Sequence, residues 1–229
     1  MIDTFLLHVP ELALAAALAW GAGLRLYLVV FVLGLAGYGG WWPLPEHLQA
    51  LSHPVVMAAS GFMALVELFA DKLPWLDSLW DLLHTLIRIP AGAALAAAVF
   101  GDAGSATTLA AALLGGSLTA ATHLTKSGTP AAVNASPEPF SNVALSLSED
   151  ALVIGGAWRA FEHPLIFLAL LLAFLLAAVL LLRMILRGLR RMLGAWRGAP
   201  RGGGEHAPGG GPALSLPVRG GDPPADPGR

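Results

Sequence analysis

The sequence predicts an all-α protein: a polytopic membrane helix bundle of about six transmembrane helices, with a 3+3 inverted repeat as its candidate plan and a disordered C-terminal tail. Three observations carry this. The chain is 56% hydrophobic and only 12% charged, whereas roughly a quarter of an ordinary soluble domain is charged. Mean hydropathy is +0.69. Apolar runs also recur at about the 20-residue length that a helix needs to cross hydrocarbon. A net charge of -2 predicts no nucleic-acid partner, and the absence of cysteine excludes disulfides, thiolate metal sites and a cysteine nucleophile.

Residues 10–37 read as the first helix, interrupted at "GAGLRLY" (21–27), where glycines flank a charge. The N-terminus lacks the basic region and cleavage site of a signal peptide, so this helix is expected to be retained. Residues 38–53 read as a loop, with Trp41 and Trp42 at the interface. A second helix is expected over 54–71. Pro74 then turns the chain at "DKLP", because it disfavours helix in the residue before it. The third helix runs over 75–100, and Pro90 is expected to kink or split it. "GDAGS" (101–105) is a turn and 105–125 the fourth helix. "TKSGTPAAVNASPEPFSN" reads as a long polar loop or re-entrant segment. The fifth helix covers 140–160. "PLIFLALLLAFLLAAVLLLRMIL" is the sixth, apolar all round and suited to lipid.

Two regions follow: a transmembrane domain over 1–190, and a basic juxtamembrane segment with a Gly/Pro-rich tail over 191–229. The basic segment should lie at the membrane surface, and the tail lacks the composition for a core. Arg183, Arg187, Arg190, Arg191 and Arg197 place the C-terminus in the cytoplasm. Six spans then place the N-terminus there too, in a multi-pass membrane protein; five or seven spans are the alternatives, because segments three and five are polar. Lys72 and Lys126 fall on the cytoplasmic side by the same count.

Charge inside a membrane segment costs about 2.5 kcal/mol per residue even on lenient scales, so such groups should face protein or water. Helical spacing supports this. Asp77, Asp81, His84 and Arg88 fall at i, i+4, i+7 and i+11, on one stripe. Ser60, Glu67 and Asp71 repeat the pattern on helix two. Thr119, His123 and Lys126 do so on helix four, and Asn142, Ser146 and Glu149 on helix five. Four stripes pointing inward would line a hydrated cavity open toward the cytoplasm. The plain alternative is that these charges pair as structural ion pairs. For His84 and His123 the default is a hydrogen-bonding core residue, and for Arg25 snorkelling or pairing weighs as much as a substrate contact.

"LAAALAWGAGLRLY" (14–27) resembles "LAAALLGGSLTAATH" (109–123), and "MALVELFAD" (63–71) is placed like "VALSLSEDA" (143–151). Each pair would occupy equivalent places in two three-helix blocks of opposite orientation, a plan found in many secondary transporters.

"ADKLPWLDSLWDLLHTLIRIPAGA" (70–93) resembles a D-K-x-P-x-x-D-x-x-x-D-x-x-H-T-x-x-R signature. "THLTKSGTPAAVNASPEPFSNVALSLSED" (122–150) resembles a second, N-x-S-P-E-P-x-S-N followed by S-x-x-E-D. With a G-L-x-x-Y element at 23–27, these strings make residues 10–190 similar to a bacterial membrane-protein family known only as domain of unknown function 4126. The family often has asparagine where this chain has Arg25. The resemblance implies no activity. It groups Asp71, Lys72, Asp77, Asp81, His84, Arg88, Asn134, Glu138, Asn142, Glu149 and Asp150 into one constellation, to which the stripes add Glu67, His123 and Lys126. "ELFADK" is also similar to the E-x-G-D-K motif of a family of cation/proton exchangers, with one residue more and no glycine.

Three functions fit. The first is a small secondary transporter for a cation or small charged solute, with the lipid bilayer and that solute as partners and homo-oligomerisation open. Its carboxylates suit a divalent cation or proton coupling, and Asp77, Asp81 and Glu149 are the metal candidates. The second is an intramembrane enzyme using a metal at Asp77, Asp81 and His84 on a lipid phosphate, although no established catalytic motif is present. The third is a structural or accessory membrane protein.

Overall fold

Arg25 divides the first helix. In the computed structural model, which describes residues 2–70, 74–133 and 139–197, α1 spans Ile2–Tyr38 but Arg25 has φ -145° and ψ 79°, outside the helical region. The consequence is large. A Cβ on Gly21 would lie 3.0 Å from Cγ2 of Val29, although residues eight apart on a straight helix are separated by about 12 Å along its axis. The second arm therefore folds back along the first, and the interruption expected at "GAGLRLY" is the tip of a helical hairpin.

A short 3-10 helix, Glu46–Ser52, follows where a plain loop was expected. Then come α2 (Pro54–Ala70), α3 (Pro74–Val99), α4 (Ser105–Val133), α5 (Pro139–Glu162) and α6 (Pro164–Arg197). No strand occurs among the described residues. Pro90 sits inside α3 without splitting it. The helix α4 continues eight residues beyond the expected end at 125, so the first half of the "TKSGTPAAVNASPEPFSN" connection is helical. A proline removes one backbone hydrogen bond, which a helix of 26 or 29 residues absorbs where apolar surroundings favour internal pairing of all the others. The expected turn at 71–73, Asn134, Glu138 and the tail from 198 lie outside the described residues.

The chain divides into a unit over Met1–Arg183 and a second over Met184–Arg229. Within the first, α1 is the hub, packing on α2, α3, α4 and α5, while α3 lies along α4. One end of this unit gathers three connections and the start of α1. His8 and Glu11 line a cavity with Pro43, Glu46, Phe100 and Asp102. His47 Nε2 and Asp102 Oδ1 are 3.1 Å apart, and Trp42 stacks on Phe161 with ring centroids 4.5 Å apart. Both ends of the α1 hairpin thus lie at the same end of the unit. From there α2 runs away, α3 back, α4 away, α5 back and α6 away.

The inverted-repeat plan is not borne out for its first pair of segments. Ala19 meets Gly115 and Thr119, and Gly23 meets Thr119, Thr122 and His123, so residue numbers rise together and the first arm runs parallel to α4. Inverted equivalents would run oppositely. Ala/Leu/Gly composition made the two segments alike because both pack tightly.

Gly23 shows how tightly. A Cβ there would lie 2.7 Å from both the Thr119 carbonyl oxygen and Thr122 Cβ, and backbone cannot retreat as a side-chain tip can. Gly23→Val is expected to cost about 2 kcal/mol or more, read as a lower denaturation midpoint in detergent. Gly155→Ala, where a Cβ meets nothing within 4 Å, should hold or gain stability. Equal midpoints for the two variants would refute the close approach.

By length and composition, His8–Tyr38 and Pro164–Gly188 are apolar enough to cross a membrane, as is the bent pair Glu46–Ser52 with Pro54–Ala70 if counted as one span. The first of these qualifies by composition, yet Arg25 breaks it. Its most apolar window is 67% buried and that of Pro164–Gly188 only 12% buried: α1 is core, whereas α6 presents its leucines outward.

Candidate functional site

The hairpin tip collects the polar residues of five helices. Arg25, buried to 1% exposure, reaches α5. Its Nη2 donates to Ser146 Oγ at 2.6 Å, and its Nε lies 3.0 Å from Asp150 Oδ1 and 3.5 Å from Glu149 Oε2. From α4, Lys126 Nζ lies 3.2 Å from Glu149 Oε2 and donates to the Leu24 carbonyl at 3.2 Å. That carbonyl ends the first arm, where the last helical turn leaves C=O groups without intrahelical partners.

On the other side of the tip, Arg88 (α3) pairs with Glu67 (α2), both fully buried. Arg88 Nη1 also lies 3.1 Å from His123 Nδ1. A guanidinium has only donors, so His123 Nδ1 accepts and the ring is neutral. The remaining proton sits on Nε2, which donates to Thr85 Oγ1 at 2.6 Å. His84 Nε2 and the Tyr27 hydroxyl share a hydrogen bond of 3.1 Å, with the rings edge to face.

Every described member of the four stripes is buried: Ser60, Glu67, His84, Arg88, Thr119, His123, Lys126, Ser146 and Glu149. Their faces converge because helices that are otherwise Ala, Leu and Gly leave no other polar partner. Three fixed cations (Arg25, Arg88, Lys126) meet three carboxylates (Glu67, Glu149, Asp150), so the described network is balanced in charge. The side chains of Asp71, Lys72, Asp77, Asp81, Asn134, Glu138 and Asn142 lie outside the described residues.

Arg25 is the residue that stripe logic undervalued. It has no helical stripe of its own, since it sits where the helix stops, and its signal was the "GAGLRLY" interruption. Tyr27 and Thr85 stand in the family strings G-L-x-x-Y and H-T-x-x-R, and packing supplies their partners, His84 and His123. No group of three metal-ligating side chains occurs among the described residues. Of Asp77, Asp81 and Glu149 only the side chain of Glu149 is described, and two cationic side chains already share its Oε2, which opposes a divalent ion there.

Fold and site define an all-helical, membrane-type bundle whose broken first helix sets Arg25 among the buried charges of its neighbours. The chain belongs to the family described as Domain of unknown function (DUF4126), whose model matches residues 12–184. No curated protein and no solved structure matches it.

Proposed function

We propose that this protein is a small secondary transporter of the bacterial inner membrane, moving a cation or small charged solute through the network at the hairpin tip. The observation that carries this reading is the break at Arg25. It sets an irregular backbone and a helix-end carbonyl among buried charges. Discontinuous helices of this kind form the solute and ion sites of transporters, where non-helical backbone is tolerated only if it is packed in protein or lines a cavity.

In the bilayer, α2–α6 make five crossings and α1 is re-entrant. The orientation follows from the basic residues. The end that gathers His8, Glu46, Asp102 and Phe161 carries Arg159 alone, whereas Lys72, Lys126 and the arginines from 183 onward belong by sequence to the opposite end. The positive-inside rule makes that opposite end cytoplasmic. The N-terminal end of α1 then faces outward, replacing the cytoplasmic N-terminus that six spans implied.

Glu149→Gln tests the reading. In proteoliposomes it should reduce solute or ion flux at least tenfold while the protein still folds and inserts. Unchanged flux would sink the proposal. A purely structural role is the second reading, and the Glu67–Arg88 pair, sealed from solvent on both sides, favours it for that part of the network. It predicts that Glu149→Gln alters stability with no flux to lose.

A further inference from the structure

The helix α6 is longer than a membrane is thick. Its 34 residues measure about 50 Å at the α-helical rise, and about 20 residues suffice to cross the hydrocarbon. Counted from Pro164, where its apolar stretch begins, the crossing ends near Arg183. Residues 184–197 remain helical and open the second unit, Met184–Arg229.

Helical register divides residues 184–197 into two sides. At about 100° per residue, Arg187, Arg190, Arg191 and Arg197 fall within an arc of about 120°. Ile185, Leu186, Leu189, Met192, Leu193 and Trp196 fall within an arc of about the same width on the far side. Arg187 and Arg190 are exposed and Leu186 is 45% exposed, so at these positions neither side is sealed by the rest of the chain. No Asp or Glu occurs between Glu162 and Glu205, so the arginines have no acidic neighbour along the helix to pair with.

The two sides together select the surroundings. Water would leave the apolar side uncovered along its whole length, and a bound nucleic acid would match the arginines while leaving that side bare. A lipid surface is anionic at the headgroups and apolar a few ångströms below, so it matches both sides at once. The guanidinium fork suits phosphate oxygens, and tryptophan is favoured at the same boundary. The crossing that precedes the segment brings it to that level.

We infer that residues 184–197 form a helix that binds anionic phospholipid at the headgroup level of the cytoplasmic leaflet. Its Leu189 side faces the acyl chains and its arginines hold the phosphates. The inference goes beyond the transporter reading and stands whether or not the network at the hairpin tip moves a solute.

The test uses the purified full-length protein in liposomes. The chain has no cysteine, so a polarity-sensitive bimane on Leu189→Cys reports the apolar side alone, and one on Gly194→Cys, in register with the arginines, reports the other. Emission from Leu189→Cys should shift to the blue when phosphatidylglycerol is mixed into phosphatidylcholine vesicles, whereas emission from Gly194→Cys should not. High salt should reverse most of the shift, because it screens the headgroup charge. In the Leu189→Cys background, changing the four arginines to glutamine should cut the shift about tenfold, and changing them to lysine should keep most of it. A Leu189→Cys emission indifferent to phosphatidylglycerol overturns the proposal, and is the result expected if an acidic protein is what the arginines meet. An equal response of the two labels, or a shift untouched by salt, overturns it as well. The salt measurement keeps all four arginines, so it decides the matter even if the glutamine variant fails to insert.

Discussion

Arg88→Met should lower unfolding stability by about 3–5 kcal/mol, the cost of stranding one partner of a buried ion pair. Arg88 and Glu67 are both at 0% exposure, and the same guanidinium supplies the proton donor to His123 Nδ1. Removing it therefore strips charge compensation from a sealed carboxylate and a donor from a buried ring in one step. The double variant Glu67→Met/Arg88→Met should recover most of that loss, since a buried pair replaced by well-packed apolar groups of similar size is often neutral. Urea or thermal unfolding in detergent measures both. If Arg88→Met unfolds like the parent, the pair is not what ties α2 to α3. The double variant also separates scaffolding from mechanism: restored stability with restored flux would assign this half of the network to structure, and the hairpin half would then carry transport alone.

The two halves were unequally legible in the sequence. Helical spacing identified Glu67, His84, Arg88, His123, Lys126 and Glu149 because a charge on an apolar helix has few places to go, and all six are buried. Helix positions followed for the same reason: α2, α3 and α5 begin and end within about two residues of their expected limits, inside the usual ambiguity of helix ends. What spacing could not convey was direction. An apolar run of 28 residues satisfies the length of a membrane crossing whether it is straight or folded in half, since composition is blind to a single non-helical residue. The clue was local, a charge between glycines at 21–27, and it becomes a hairpin only when Val29 is found against Gly21. Arg25 belongs to the same blind spot. A periodic stripe cannot register a side chain at a break in the periodicity, yet this one contacts three residues of α5. Pro130 misled in the other direction, because local propensity marks it as loop while the length of α4 absorbs it.

The re-entrant hairpin makes a prediction that separates it cleanly from a six-span arrangement. Both arrangements put Glu46 and Asp102 outside and the arginines after 183 inside; they differ only in the N-terminal end of α1. The chain has no cysteine, so each single-cysteine variant reports one position with no background. Glu11 is half exposed and, among the described residues, contacts His8 three residues away, so Glu11→Cys should fold as the parent does. In intact cells a membrane-impermeant maleimide should label Glu11→Cys as fully as Glu46→Cys. Arg187→Cys should react only after the membrane is opened. Labelling of Glu11→Cys that waits for permeabilisation would mean that α1 crosses the bilayer. That result would also remove the physical basis of the network at its tip. Arg25 can reach Ser146, Glu149 and Asp150 of α5 only if the chain turns there, and the Leu24 carbonyl is available to Lys126 only because the first arm ends at it.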